Sequence, residues 1–210
     1  MIVFITHCWR RLRHRFDAGR ILFWILMGLA AQARAGVEID QLRVERQEQG
    51  LLLNAHLKLD LGPTVEEALV KGVAVYFVAE AELMRDRWYW YDRKLGQVSR
   101  YYRLAYQPLT RQWRLQVASE PIAVGGNGTS ITQSFETLAS ALDAIRLQAG
   151  WKLADAADVE ADAKQYLVYR FRLDISQLPR PFQIAAGNQS GWNLSVSRTL
   201  RVQSENGALK

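Results

Sequence analysis

The chain of 210 residues holds a single cysteine, Cys8, and three histidines, two of which, His7 and His14, lie beside it near the N-terminus. Beyond residue 35 there is no thiol and one histidine, His56. Disulfides, cysteine nucleophiles and thiolate metal sites are therefore excluded there, and a zinc centre of the usual His/Cys type lacks its ligands. A Ser-His-Asp triad has only His56 to draw on and no G-x-S-x-G elbow to carry its nucleophile. His56 stands among Asn54, Lys58 and Asp60 on the polar side of an alternating segment and reads as a solvated surface residue. The glycine-rich residues 125–129 lack the lysine and spacing of a phosphate loop and read as a flexible connection. Asp155, Asp158, Glu160 and Asp162 lack the glycine and terminal glutamate of a calcium loop and read as solvated surface. No cofactor and no metal is expected.

Excess charge is also scarce once the N-terminus is set aside. The formal net charge is +6, but Arg10, Arg11, Arg13, Arg15, Arg20 and Arg34 stand against Asp17 alone in the first 35 residues, leaving 21 basic and 20 acidic side chains in the rest. A nucleic-acid partner, which calls for a concentrated basic face, is not expected. The basic stretch, the apolar run 21–31 and Ala33-Arg34-Ala35 have the order of a secretory signal with its small-residue cleavage site. The apolar run is about half of the roughly 20 residues that a spanning helix requires. Residues 1–35 are thus expected to be a signal peptide cleaved after Ala35, with residues 36–210 exported as one domain. The membrane is reached only through the leader, if that is kept.

That domain has the hydrophobic content to fold on its core alone. Residues 37–46 and 51–61 read as strands; Leu51, Leu53, Ala55, Leu57 and Leu59 alternate with polar positions, the period of a sheet with one wet face. A short helix is expected at 65–70. Residues 73–83 read as a central strand, with Val75, Phe77, Ala79, Ala81 and Leu83 on one face and Tyr76, Glu80 and Glu82 on the other. Residues 92–96 read as a turn, 98–107 and 110–118 as the following strands of an antiparallel meander. Phe135, Leu138, Leu142 and Ile145 recur at helical spacing, with Thr132 or Ser134 as cap and Gly150 as the end. Residues 166–175 and 192–202 read as strands, and the proline-rich 178–182 as a corner. The fold expected is mainly β: an antiparallel β-sandwich, immunoglobulin-like in general architecture, of seven to nine strands with two short helices.

Aromatic side chains and arginines concentrate in residues 85–114. Arg87, Trp88, Tyr89, Trp90, Tyr91, Arg100, Tyr102, Trp113 and Arg114 form the candidate binding band. Two readings stand side by side. Cross-strand aromatic pairs and guanidinium stacking stabilise a sheet by a few tenths to about 1 kcal/mol each. Alternatively the band is an exposed ladder for a peptide, glycan or protein, since arginine and aromatics dominate binding hot spots. Continuing the alternation of residues 73–83 puts Trp88 and Trp90 beside Glu80 and Glu82. A bulge near Arg85-Asp86 turns them inward and is preferred, because two exposed tryptophans make an unusual patch.

RDRWYWYD at residues 85–92, RLAYQPLTRQWRL at 103–115 and FRLDISQLPRPFQI at 171–184, followed by Trp192, resemble the DUF4390 family of proteobacterial exported proteins of unknown function. The resemblance implies a periplasmic protein in a Gram-negative bacterium and carries over no catalytic residue. Through neighbouring genes it also implies an envelope partner, with a membrane sensor kinase of the nitrogen-regulation type as candidate. The function expected is a non-catalytic binding or accessory module for an envelope protein. The alternatives are a glycan- or peptide-binding module, and a hydrolase using carboxylates such as Glu80, Glu82 or Asp174.

Overall fold

Nine strands form two antiparallel sheets in the computed structural model, which describes residues 35–48, 50–86, 93–122, 129–155, 164–188 and 190–202. All of them lie in one unit, residues 33–210; the other unit, 1–32, holds all but the last three residues of the expected leader and falls outside the described residues. The small sheet has the order β1 (Gly36–Gln47), β2 (Gly50–Asp60), β7 (Leu147–Ala154). The large one runs β6 (Ser130–Phe135), β5 (Gln112–Ala118), β4 (Arg93–Gln107), β3 (Val75–Arg85), β8 (Gln165–Leu173), β9 (Ser195–Val202). The expected mainly-β, two-sheet architecture is observed, with three short helices where two were expected: α1 (Pro63–Val70), α2 (Leu138–Arg146) and α3 (Arg180–Asn188).

Alternation explains the strands one by one. In β2, Leu51, Leu53, Ala55, Leu57 and Leu59 are all buried while His56, Lys58 and Asp60 are exposed. In β3 the buried Phe77, Ala79, Ala81 and Leu83 face the core, as do Leu167, Tyr169 and Phe171 of β8 beside them. These residues join Ile39, Leu42, Trp151 and Leu153 of the small sheet in one apolar cluster. Val65, Ala68 and Leu69 of α1 enter the same cluster, and α2 adds Ala141, Leu142 and Ile145 while touching β2, β5, β6 and β7. Phe77 and Phe171 stack across the β3–β8 pair with ring centroids 5.7 Å apart.

Three local expectations are corrected, and the expected corner at 178–182 is found to lead into a helix. Residues 130–135 form strand β6 rather than the start of a helix, because pairing with β5 gives their backbone partners; the cap of α2 is Thr137, whose hydroxyl accepts from the Ser140 amide at 3.2 Å. Gly150 does not end that helix, which stops at Arg146. It lies inside β7 at φ 69, where the register with β2 shifts, and its N–H donates to Asn54 Oδ1 at 2.9 Å. Residues 93–96 already belong to β4, and the irregularity in the β3–β4 ladder is the extra residue Leu95, since Leu83 pairs with Gly96 and Met84 with Lys94. Residues 178–182 make a corner that runs into α3; Pro181 is tolerated in the first turn, where an amide donor has no intrahelical partner. Gln183 Nε2 ties the corner down by donating to the carbonyls of Ser176 and Leu178.

A polar pair is buried in the core. Tyr169 donates its hydroxyl to Gln148 Oε1 at 2.7 Å, and the Gln148 amide reaches the Ile145 carbonyl at 3.3 Å. Burial pushes the hydroxyls of Tyr169 and Tyr102 well above the ordinary tyrosine range. A raised pKa in the folded state means that stability is intact below about pH 10 and falls as pH rises above it, since only the unfolded chain then releases the protons. The expected loss is about 1.4 kcal/mol per pH unit for each tyrosine. Tyr169→Phe is expected to cost about 1–3 kcal/mol at neutral pH by orphaning the Gln148 oxygen, and to flatten the alkaline slope. Urea midpoints measured from pH 8 to pH 11 check both; an unchanged slope in the variant counts against the buried pair.

Candidate functional site

The period of the strands divides the Arg/aromatic band between two faces. Tyr102 pairs with Phe77 on the core side and is 5% exposed. Trp113 is 8% exposed and packs on Tyr106 with centroids 4.9 Å apart. Arg100 also points to the inner side: its guanidinium lies 5.7 Å from the ring centre of Trp151 in β7 and donates to Ser119 Oγ at 2.6 Å. Tyr102, Trp113 and Arg100 thus serve packing, and Arg100 covers the edge of the core with its stem while keeping its head near water. Arg114 is exposed on the opposite face. Arg87, Trp88, Tyr89, Trp90 and Tyr91 lie outside the described residues.

What the band leaves outside joins residues from β8 and β9 that were not singled out in the sequence. On the outer face of the large sheet, Tyr76, Arg103 and Gln116 stand in one row across β3, β4 and β5. Arg103 donates from Nε to the Tyr76 hydroxyl at 3.2 Å and from a terminal nitrogen to Gln116 at 3.1 Å. Glu82 accepts from Lys94 at 2.5 Å and from Arg170 at 3.0 Å. Lys94 first, and Arg170 after it, hold the Glu82 carboxyl below its usual range against the opposing effect of partial burial. Arg172 is less committed, 3.9 Å from both Glu80 and Asp174. Arg114 and Arg201 complete a face richer in guanidinium than in carboxylate, contributed one or two residues at a time by β4, β5, β8 and β9.

One end of this face is concave. Tyr76 and Val78 point away from the core yet are 7% and 2% exposed. They form part of a cavity of about 220 Å³, lined also by Tyr101, Ile122, Arg172 and Asp174. Asp174 is positioned by the short 3-10 turn Ile175–Gln177, which it caps through the Ser176 amide and hydroxyl. The cavity therefore offers an apolar floor, a phenol rim and one guanidinium–carboxylate pair. Glu80 and Glu82 do not line it.

A wider hollow of about 590 Å³ lies on the small sheet, between Glu38, His56, Lys58 and the Asp143–Arg146 pair of α2. Its cations are engaged: Asp40 beside it accepts from Lys58 at 2.8 Å and from His56 at 3.2 Å, and Lys58 holds the Asp40 carboxyl below its usual range. Arg146 donates to Asp143 and to the Leu59 carbonyl. Among the described residues no group of three His, Cys, Asp or Glu side chains is placed to hold a metal ion, and no helix is long and apolar enough to cross a membrane.

These features define a mainly-β domain of two antiparallel sheets whose larger sheet presents a charged, tyrosine-bearing and partly hollowed outer face. Within that class the chain belongs to DUF4390, a domain of unknown function, whose family model matches residues 34–201. A comparison with curated proteins and one with solved structures found no match.

Proposed function

We propose that this chain is an exported, periplasmic and non-catalytic binding module, which docks the outer face of its large sheet on a carboxylate-rich region of an envelope protein. The observation that carries the reading is that face itself. Arg103, Arg114, Arg170, Arg172 and Arg201 outnumber Glu80, Glu82 and Asp174 there, and Arg114 and Arg201 project from its two flanks. Rigid strands hold these guanidinium groups in fixed rows, which suits bidentate recognition of carboxylates. Because β1 begins at Gly36, cleavage after Ala35 leaves both sheets whole, which supports export of the entire domain. A membrane sensor kinase is the candidate partner that the resemblance names.

The cavity favours a peptide as the docked element, with one apolar side chain between Val78 and Ile122 and a polar group on Arg172. Hydrolysis is less well served: Glu80 and Glu82 do not line the cavity, and Lys94 and Arg170 hold Glu82 ionised, which unsuits it as a general acid.

Photo-crosslinking in the envelope tests the reading. Probes at Tyr101 and Arg114 are expected to give one discrete adduct, and a control probe at Lys58, exposed on the other sheet, none. Equal labelling from Lys58, or no adduct from either outer-face position in a folded and exported protein, sinks the proposal.

A further inference from the structure

A sheet edge exposes a row of unpaired backbone donors and acceptors, and proteins guard such edges with charge, proline or bulges. Three of the four edge strands here are guarded. β1 carries Glu38, Asp40, Arg43, Glu45 and Arg46 and lies against β9; β9 carries Arg198 and Arg201; β7 has Lys152 and the Gly150 irregularity. β6 has none of these. Its sequence, SITQSF, contains neither charge nor proline, its register with β5 is unbroken over six residues, and all but Phe135 are exposed.

We propose that β6 pairs antiparallel with β6 of a second copy of this chain, about a twofold axis at Gln133, so that the two large sheets become one. The choice of occupant rests on self-complementarity. Ile131, Gln133 and Phe135 share the core-side face, since they stand opposite Val117, Leu115 and Trp113; Thr132 and Ser134 share the outer one. A twofold axis perpendicular to the sheet keeps each face on its own side, which restricts pairs to residues of the same face. Centred on Gln133, the register sets Ile131 against the partner's Phe135, Thr132 against the partner's Ser134, and Gln133 against the partner's Gln133. Each is a favourable cross-strand combination: aromatic with β-branched, hydroxyl with hydroxyl, amide with amide. Shifting the axis to Thr132 sets Ile131 against the partner's Gln133 and leaves Phe135 unmatched. Only the Gln133 register covers Ile131, which is 66% exposed in one copy, with an aromatic ring. A strand without charge also meets its own copy with no like-charge repulsion, which a charged edge does not.

A single strand pair buries little surface, so the association is expected to be concentration-dependent. Sedimentation velocity on the full chain across the micromolar range is expected to show a monomer–dimer equilibrium. Gln133→Lys places two ammonium groups opposite one another at the axis. It is expected to raise the dissociation constant about tenfold at low salt, with partial recovery at high salt. Position 133 is exposed in the single copy, so the urea midpoint of the diluted variant should match that of the parent. In a Cys8→Ser background, Gln133→Cys is expected to form a covalent dimer under mild oxidation, whereas Thr132→Cys, whose two copies lie diagonally, links poorly.

A parent chain that stays monomeric throughout, or a dimer indifferent to Gln133→Lys, overturns the proposal. Stronger linkage through Thr132→Cys overturns the register. The edge is separate from the docking face, so failure here leaves the cross-linking outcome at Tyr101 and Arg114 untouched.

Discussion

Phe171→Ala is expected to destabilise the domain by about 3–5 kcal/mol, the range for removing a fully buried aromatic side chain. Phe171 is wholly buried in β8, stacked on Phe77 of β3, and both rings belong to the apolar cluster that the two sheets share. The loss combines the transfer term for the ring with the cavity left behind, since residues held in two hydrogen-bonded ladders relax only partly. At about 2–4 °C per kcal/mol for a domain of this size, the thermal midpoint is expected to fall by about 6–20 °C. Leu109→Ala is the control: Leu109 is fully exposed in the β4–β5 turn, and a change within about 0.5 kcal/mol is expected there. In the Phe77→Ala, Phe171→Ala double variant, the losses should sum to more than the measured total, because the stacked pair is lost only once. A Phe171→Ala variant that melts with the parent contradicts the full burial of Phe171 between β3 and β9.

Gly96→Ala adds a single methyl group and is nonetheless expected to cost about 2–3 kcal/mol. A Cβ at position 96 falls 1.9 Å from the Leu153 carbonyl oxygen and 3.0 Å from its carbonyl carbon. Both are backbone atoms of β7, so the clash cannot be relieved by a side-chain rotation, and β4 must move away from the small sheet. The effect is one of space rather than backbone conformation, because Gly96 is absent from the residues of positive φ. Gly187→Ala provides the contrast: nothing lies within 4 Å of a Cβ there, and in helix α3 alanine is favoured by up to about 1 kcal/mol. Urea unfolding of both variants, read at the midpoint with the m-value unchanged, separates the two cases. Equal midpoints for Gly96→Ala and the parent mean that β4 and β7 do not approach as closely as described.

The proximity of Gly96 and Leu153 had no signature in the chain. They are far apart in sequence, and a glycine beside Leu95 at the end of the charged residues 92–94 reads as part of a turn. The same limit applies to β6. Its alternation is weak because Thr132, Gln133 and Ser134 are all polar, so the helical spacing of Phe135, Leu138, Leu142 and Ile145 claims its end; pairing with β5 makes it a strand. By contrast β2, β3 and β8 were legible, since each repeats an apolar side chain at every second position and has a buried face to enforce it.

The candidate site was half legible for a related reason. The clustering of arginine and aromatic residues in 85–114 is plain in the sequence, but neighbours in a strand point to opposite faces, so Tyr102 went to the core and Tyr101 to the cavity. Arg170, Arg172 and Arg201 reach the same outer face from strands far along the chain, which no local pattern announces.

By itself the sequence determined the β class, the core positions of the strongly alternating strands and the family, because these depend on periodicity and on residue order along one segment. Only the tertiary structure decided that β7 lies beside β2 and β8 beside β3, that Gly96 meets a backbone carbonyl, and that β6 is left as an uncharged edge. Those outcomes depend on which strands pair across long separations, and the free energy of such pairing resides in contacts between segments rather than in any one of them.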